Sequence, residues 1–301
     1  MIMLLFCKFS DRHIVPMFTK INNTRIYFDI EGGKLSLEGK VSKEKPVLLL
    51  IHGGPGSDHQ FFREFFPRFA DSAQIIYLDL RGSGNSDTST PQHWNLAQWV
   101  KDIEAFCREL GIHHPVIFGH SFGGMLAMKL AIDYPALPAS LILAHSIGKF
   151  DMPSMLKRFE RLGGETAMLA AKNFWINPNP ETLADFKVHA SPVYNRRWPK
   201  NIFDISSRVK NNPEVSMHFW ADEGQQFDLL DQLKHIQCPC LVFGGDSDPF
   251  SGEDDIKLIA NALPEKHVEN FILKDCGHFF WWDAAEMASE KIEAFFKSGS
   301  G

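Results

Sequence analysis

Cysteine and tyrosine are scarce in this sequence, with five of the first and four of the second among 301 residues. The cysteines (Cys7, Cys107, Cys238, Cys240, Cys276) are scattered and odd in number, which excludes a disulfide scaffold and fits a reducing, cytoplasmic compartment. Cys238-Pro239-Cys240 has no second cysteine or histidine pair at zinc spacing, so both thiols read as small buried apolar groups beside a strand. An excess of basic charge is missing too: 31 lysines and arginines stand against 37 aspartates and glutamates, a net charge of −6 that argues against a nucleic-acid partner. No segment approaches the roughly 18 consecutive apolar residues of a membrane span. The apolar start, Met1 to Cys7, has no basic residue before it, meets Lys8 at once and lacks a cleavage pattern, so it does not read as a signal peptide. Internal repeats are also wanting. What is plentiful is phenylalanine, 26 residues of it, an aromatic surface with no hydroxyl to place.

With 44% hydrophobic and 23% charged residues the composition is that of a globular protein, and the length suits one domain carrying an insertion. Two strand-like runs around Asn22-Asn23 predict an opening hairpin. The continuous apolar run at 47–51 then reads as a strand buried on both faces, and similar runs recur at 74–78, 115–118, 140–143, 241–243 and 268–273. Helix-like stretches lie between them at 59–69, 96–110, 122–134, 253–263 and 284–296. This alternation predicts an α/β fold with a mostly parallel, doubly wound sheet. It fails over 147–225, a stretch with several prolines and no strand-like run, which reads as a helical cap or lid over the carboxyl ends of the strands. The expected organisation is an extension at 1–16, a core at 17–146 and 226–297, the cap at 147–225 and a flexible tail at 298–301.

Gly119-His120-Ser121-Phe122-Gly123 follows an apolar run and precedes a helical one. A strand that turns sharply into a helix crowds the backbone on both sides of the central serine, so glycines are required there and Ser121 Oγ is left exposed as a nucleophile. Serine needs a base, and the base a carboxylate, in the chain order serine, acid, histidine. Two later strand ends supply them: one runs into Asp246-Ser247-Asp248-Pro249, the other into Gly277-His278. His278 is the expected base. Asp248, further into its loop and held by Pro249, is preferred as the acid, leaving Asp246 as a turn residue bonded to its own backbone. A calcium loop starting at Asp246 would put Lys257 where an acid is needed. His120 reads as a core residue pointing away from the site, and His113, His114 and His267 as surface turns. His52-Gly53-Gly54-Pro55-Gly56 follows the 47–51 run, where a backbone N–H joins that of the residue after the nucleophile to hold an oxyanion. Gly54 and Phe122 are the expected donors, with Gly53 as the fallback; Pro55 has no N–H to give.

These motifs, with Asp79-Leu80-Arg81-Gly82-Ser83-Gly84-Asn85-Ser86, make the chain resemble the α/β-hydrolase superfamily from about Met17 to Phe296, and within it the proline iminopeptidase branch. The resemblance implies the same triad and oxyanion donors, a helical cap between the sixth and seventh sheet strands, and no metal or organic cofactor. Two positions depart from the branch: Leu80 stands where glutamine is usual, and Phe122 where tryptophan or tyrosine is common. The branch also uses cap acids to grip a substrate's amino group, and Asp222 and Glu223, beside Trp220, are the candidates. The expected function is a serine hydrolase cleaving an amide or ester through an acyl-enzyme, as an aminopeptidase for amino-terminal proline; the alternatives are a carboxylesterase or lactonase for small apolar esters and a slow-turnover small-molecule sensor. The substrate is a small molecule or short peptide in each case. Phenylalanines follow the motifs at Phe61, Phe62, Phe122, Phe250, Phe279 and Phe280, which predicts a dry, aromatic-walled acyl pocket in which Phe61, Phe250 and Trp220 touch substrate.

Overall fold

The structure, a computed structural model, describes residues 17–38 and 41–298. The expected extension at 1–16 and residues 299–301 of the expected tail lie outside these; Ser298, assigned above to the tail, instead closes the last helix.

Asn22 and Asn23 both adopt positive φ (42° and 61°), a conformation asparagine tolerates, and so form a two-residue turn between β1 (Met17–Ile21) and β2 (Thr24–Glu31). Strands β3 (Leu35–Glu38) and β4 (Val41–Glu44) form a separate antiparallel hairpin, unforeseen because four residues are too few to show a period. The remaining strands are β5 (Val47–Ile51), β6 (Gln74–Leu78), β7 (Val116–His120), β8 (Ser140–Ala144), β9 (Cys240–Gly245) and β10 (Val268–Leu273). The helices, in chain order, are α1 (Leu96–Glu109), α2 (Phe122–Asp133), α3 (Met152–Ile176), α4 (Pro180–His189), α5 (Ile202–Arg208), α6 (Pro213–Ala221), α7 (Glu253–Ala262), α8 (Phe280–Asp283) and α9 (Ala285–Ser298).

The main sheet runs β1-β2-β6-β5-β7-β8-β9-β10, antiparallel at β1 and β2 and parallel from β6 onward. Its central runs are apolar throughout because alternate residues bury opposite faces. Leu49, Ile51, Ile117 and Val242 face α1, α2 and the helices inserted after β8, while Leu48, Leu50, Phe118 and Phe243 face the phenylalanine-rich 62–69 turn and α9. That turn, expected as a helix, is two 3₁₀ segments, Gln60–Glu64 and Phe66–Phe69. Pro67 disfavours the α conformation at Phe66 and removes a donor, so the α-helical ladder cannot run through. The chain leaves β5 toward β6 on one side and leaves β7 toward β8 on the other. The crevice beyond their carboxyl ends is therefore a topological switch point, where open α/β sheets bind ligands. Helices α3 to α6 all lie between β8 and β9, the sixth and seventh strands of this sheet in chain order, and reach over that edge: Asn212 N–H donates to the Gly56 carbonyl at 2.7 Å.

Arg81 fixes the loop after β6. Its guanidinium bonds both oxygens of Asp102 on α1 (2.6 and 2.8 Å), a pair buried in the interior, and reaches the Asn22 carbonyl and Ser89 Oγ nearer the surface. Replacing it strands a buried carboxylate. Arg81→Ala is expected to lower stability by about 3–5 kcal/mol in urea unfolding, and Arg81→Lys to recover only part of it because the two-pronged geometry is lost.

Candidate active site

Ser121 sits between β7 and α2 with φ 55° and ψ −120°, a conformation a serine keeps only when its surroundings impose it. They do so closely. A side chain on Gly119 would run into the Gly123 carbonyl, one on Gly123 into the Ile51 carbonyl, and one on Gly124 into Ser146. Ser146 Oγ donates to the Ser121 carbonyl at 2.8 Å, and Ser121 N–H donates to the Ala144 carbonyl at 2.9 Å, tying the elbow to β8.

His278 and Asp248 converge on this point from the ends of β10 and β9. His278 Nδ1 lies 2.8 Å from Asp248 Oδ2. The carboxylate is fully buried and also accepts from the N–H groups of Phe250 and Ser251, the Ser251 hydroxyl and His145 Nδ1. Ser121 and His278 both line a cavity of about 380 Å³. Their outward atoms, Ser121 Oγ and His278 Nε2, have no hydrogen-bond partner among the described residues, each other included. The backbone N–H groups of Gly53, Gly54 and Phe122 are likewise unpaired there, and Gly53, beside the Ser121 side chain, and Gly54 (φ 123°) both line the cavity. His52, below this loop, is held neutral by burial; its Nδ1–H donates to the Gly53 carbonyl and its Nε2 accepts from Leu80 N–H. Among the described residues, one group brings metal-donor atoms together, His145, Asp248 and His278, but both imidazole Nδ1 atoms are already spent on one carboxylate oxygen.

Several expected placements change. His120 is buried, yet it borders the cavity rather than pointing away: its ring lies 4.7 Å from that of His278, and its Nε2–H donates to the His278 carbonyl. Strand β7 ends with this residue, so its side chain falls on the face against which the His278 loop packs. Asp246 accepts from Cys276 N–H and Ser247 Oγ, not from its own backbone, and so links the loops after β9 and β10. Of the substrate-contact candidates, Phe61, Phe250 and Trp220 line the cavity and Asp222 and Glu223 do not. Both acids follow the end of α6 and border a separate hollow beside Trp94. Glu223 accepts from Leu96 N–H at the start of α1 and has its carboxyl pKa raised by burial; Asp222 accepts from Gln226. Among the described residues the one carboxylate lining the cavity beside Ser121 is Asp58, whose oxygens accept the N–H groups of Gln60 and Lys210.

Aromatic rings dominate the wall, but from two sources. Phe61, Phe62, Phe250, Phe279 and Trp281 follow the motifs, whereas Phe174, Trp175, Phe186, Tyr194, Trp198 and Trp220 come from the inserted helices. Phe122 and Phe280 turn away into the core, against Trp99 and Phe65. The inserted segment also holds the His278 loop. The Tyr194 carbonyl accepts His278 N–H at 2.6 Å, and the Asn195 amide bonds both the N–H and the carbonyl of Phe279. No local sequence pattern marks Tyr194, Asn195 or His145, because each acts through a partner distant in the chain.

A parallel sheet, a serine at a strained strand-to-helix turn and a histidine–carboxylate pair beside it define an α/β hydrolase. Residues 46–285 match the family described as alpha/beta hydrolase fold, and the chain belongs to that family. Several relatives within it are named proline iminopeptidases. A proline iminopeptidase of Clostridium botulinum is 27% identical over 257 residues, covering 76% of this chain and 81% of the relative. Among solved structures, the proline iminopeptidase of Mycobacterium smegmatis superposes with a TM-score of 0.73 at 18% identity, covering 95% of this chain and 98% of that one. A thermophilic esterase of Thermogutta terrifontis superposes at 0.67 with 21% identity, covering 95% and 98%. No described helix is long and apolar enough to cross a membrane.

Burial alone would raise the Asp248 carboxyl pKa, but the two histidines outweigh it and hold the group well below the ordinary carboxylate range. A carboxyl pKa depressed by folding contributes stability that is complete at neutral pH and is lost as pH falls below the unfolded value of about 4. The thermal unfolding midpoint should therefore fall on acidification below that point, and Asp248→Asn should be less stable at neutral pH and show less of the acid decline.

Proposed function

We propose that this chain is a serine hydrolase that transfers an apolar, uncharged acyl group from an ester or amide to water through an acyl-enzyme on Ser121. The observation that carries this reading is the convergence of the strained Ser121 elbow and the Asp248-bound His278 on one aromatic cavity. His278 takes the Ser121 proton as Oγ attacks the carbonyl carbon. The oxyanion is received by the Gly54 and Phe122 N–H groups, and collapse expels the leaving group with the proton His278 carries. Water then enters, gives a proton to His278 and releases the acid. Asp248 accepts from Nδ1–H throughout, which leaves Nε2 facing Ser121 and stabilises the imidazolium formed in each step. The helices of 147–225 act as the cap of this site, excluding water from it. Four buried free thiols among the described residues fit a cytoplasmic setting.

The cavity wall favours neutral acyl groups. An amino-terminal ammonium brought into an aromatic pocket needs a carboxylate partner, and Asp58, whose pKa burial raises and whose oxygens already accept two backbone N–H groups, is a weak one. A second reading, an aminopeptidase for amino-terminal proline, is favoured by the names of the relatives and would draw the ammonium to the π-faces of the lining rings instead. Short p-nitrophenyl esters are expected to be turned over with kcat/KM at least about tenfold above that for Pro-β-naphthylamide, a margin of about 1.4 kcal/mol. Preference for the naphthylamide, abolished by blocking its amine, would favour the second reading. Ser121→Ala should lose turnover on every substrate down to a residue of roughly 10³–10⁴ over water. Undiminished ester hydrolysis by that variant would remove Ser121 from the mechanism.

A further inference from the structure

Two imidazoles share one carboxylate oxygen, and the reaction as proposed uses only one of them. His145 stands one residue past β8, wholly buried, with φ 52°. Its Nδ1 lies 2.9 Å from Asp248 Oδ2, the oxygen that also receives His278 Nδ1 at 2.8 Å and Ser251 Oγ at 2.8 Å. An ionised carboxylate can only accept, so both Nδ1 atoms carry protons. Burial keeps His145 neutral, which leaves Nε2 as a bare acceptor, and that atom has no partner. A buried, unpaired nitrogen is a standing cost in stability that an apolar ring would avoid. The ring is nonetheless held flat on Phe280, with centroids 5.7 Å apart and planes inclined by 11°.

We infer that His145 is a positioning residue that acts on the reaction through Asp248, donating to the oxygen that holds His278 and so reducing how strongly that oxygen stabilises a resting proton on His278. The inference rests on the triad proposed above. A base must be free of its proton before it can take that of Ser121, and a carboxylate with fewer donors would hold the imidazolium more tightly. The other groups facing this cluster are His120 from β7, the Tyr194 phenol and Arg158 from the inserted segment, Asp255 on α7 paired with Arg158, and the Cys276 thiol and Asp283 beside the His278 loop. Among the described residues, none of these contacts Asp248 Oδ2 at hydrogen-bond distance; besides His278 its donors are the Ser251 hydroxyl, which belongs to the Asp248 loop itself, and His145, the one that reaches it from another strand.

The test compares pH profiles of kcat/KM for ester hydrolysis. His145→Phe keeps a ring but removes the donor; His145→Asn keeps an N–H near the Nδ1 position and tolerates the left-handed backbone. The acid limb of the Phe variant is expected to move to higher pH by about 0.5–1 unit, with the Asn variant close to wild type. A Phe variant that is folded and keeps the wild-type limb would overturn the inference, since a merely structural role lowers kcat without moving the limb. Should the Phe variant not fold, nitrogen NMR of histidine-labelled wild type decides: His145 is expected protonated on Nδ1 and bare on Nε2 across neutral pH, and the opposite tautomer would overturn the inference. His278→Ala separates the two levels. Activity retained in that variant would overturn the triad and the inference with it, while its loss together with an unmoved limb in His145→Phe would overturn the inference alone.

Discussion

A single buried carboxylate organises the site. Asp248 has no exposure to water, and an uncompensated charge there would be prohibitive. Its five donors come from its own loop after β9, from His145 after β8 and from His278 after β10. Satisfying one charge thus sets the relation of three strand ends, and the elbow joins them because Ser121 N–H and the Ser121 carbonyl are both bonded to the end of β8.

The inserted helices are part of the same unit. Arg158 on α3 donates to the Pro249 and Phe250 carbonyls and pairs with Asp255, so the loop bearing Asp248 is clamped from above. The Tyr194–Asn195 segment does the same for the loop bearing His278. The helices that wall the pocket therefore also position the groups that would do the chemistry. A rearrangement that opened the pocket by moving α3 or the Tyr194 segment would disturb base and acid together.

Much of this was legible in the sequence, for identifiable reasons. The parallel strands announce themselves because a strand buried on both faces must be apolar at every position, and the elbow does so because only glycine fits beside Ser121. Asp248 and His278 follow from chain order and strand ends. The rest depends on contacts between distant residues. Asp222 and Glu223 have the charge of amine-binding acids, but they lie past the end of α6 and outside the cavity, Glu223 bonded to the start of α1 and Asp222 to Gln226. The phenylalanines after the motifs account for part of the wall only, since the inserted helices supply the rest and Phe122 packs inward. His145 carries no local signature at all; its role exists only once β8 and β9 are neighbours.

The central claim is that Ser121 Oγ becomes covalently bonded to the acyl group, and active-site phosphonylation tests it most directly. A fluorophosphonate should add once per chain, on the peptide containing Ser121, with simultaneous loss of ester hydrolysis, and should fail to add to Ser121→Ala. Stoichiometric modification at another residue, or full activity after Ser121 is blocked, would contradict the account.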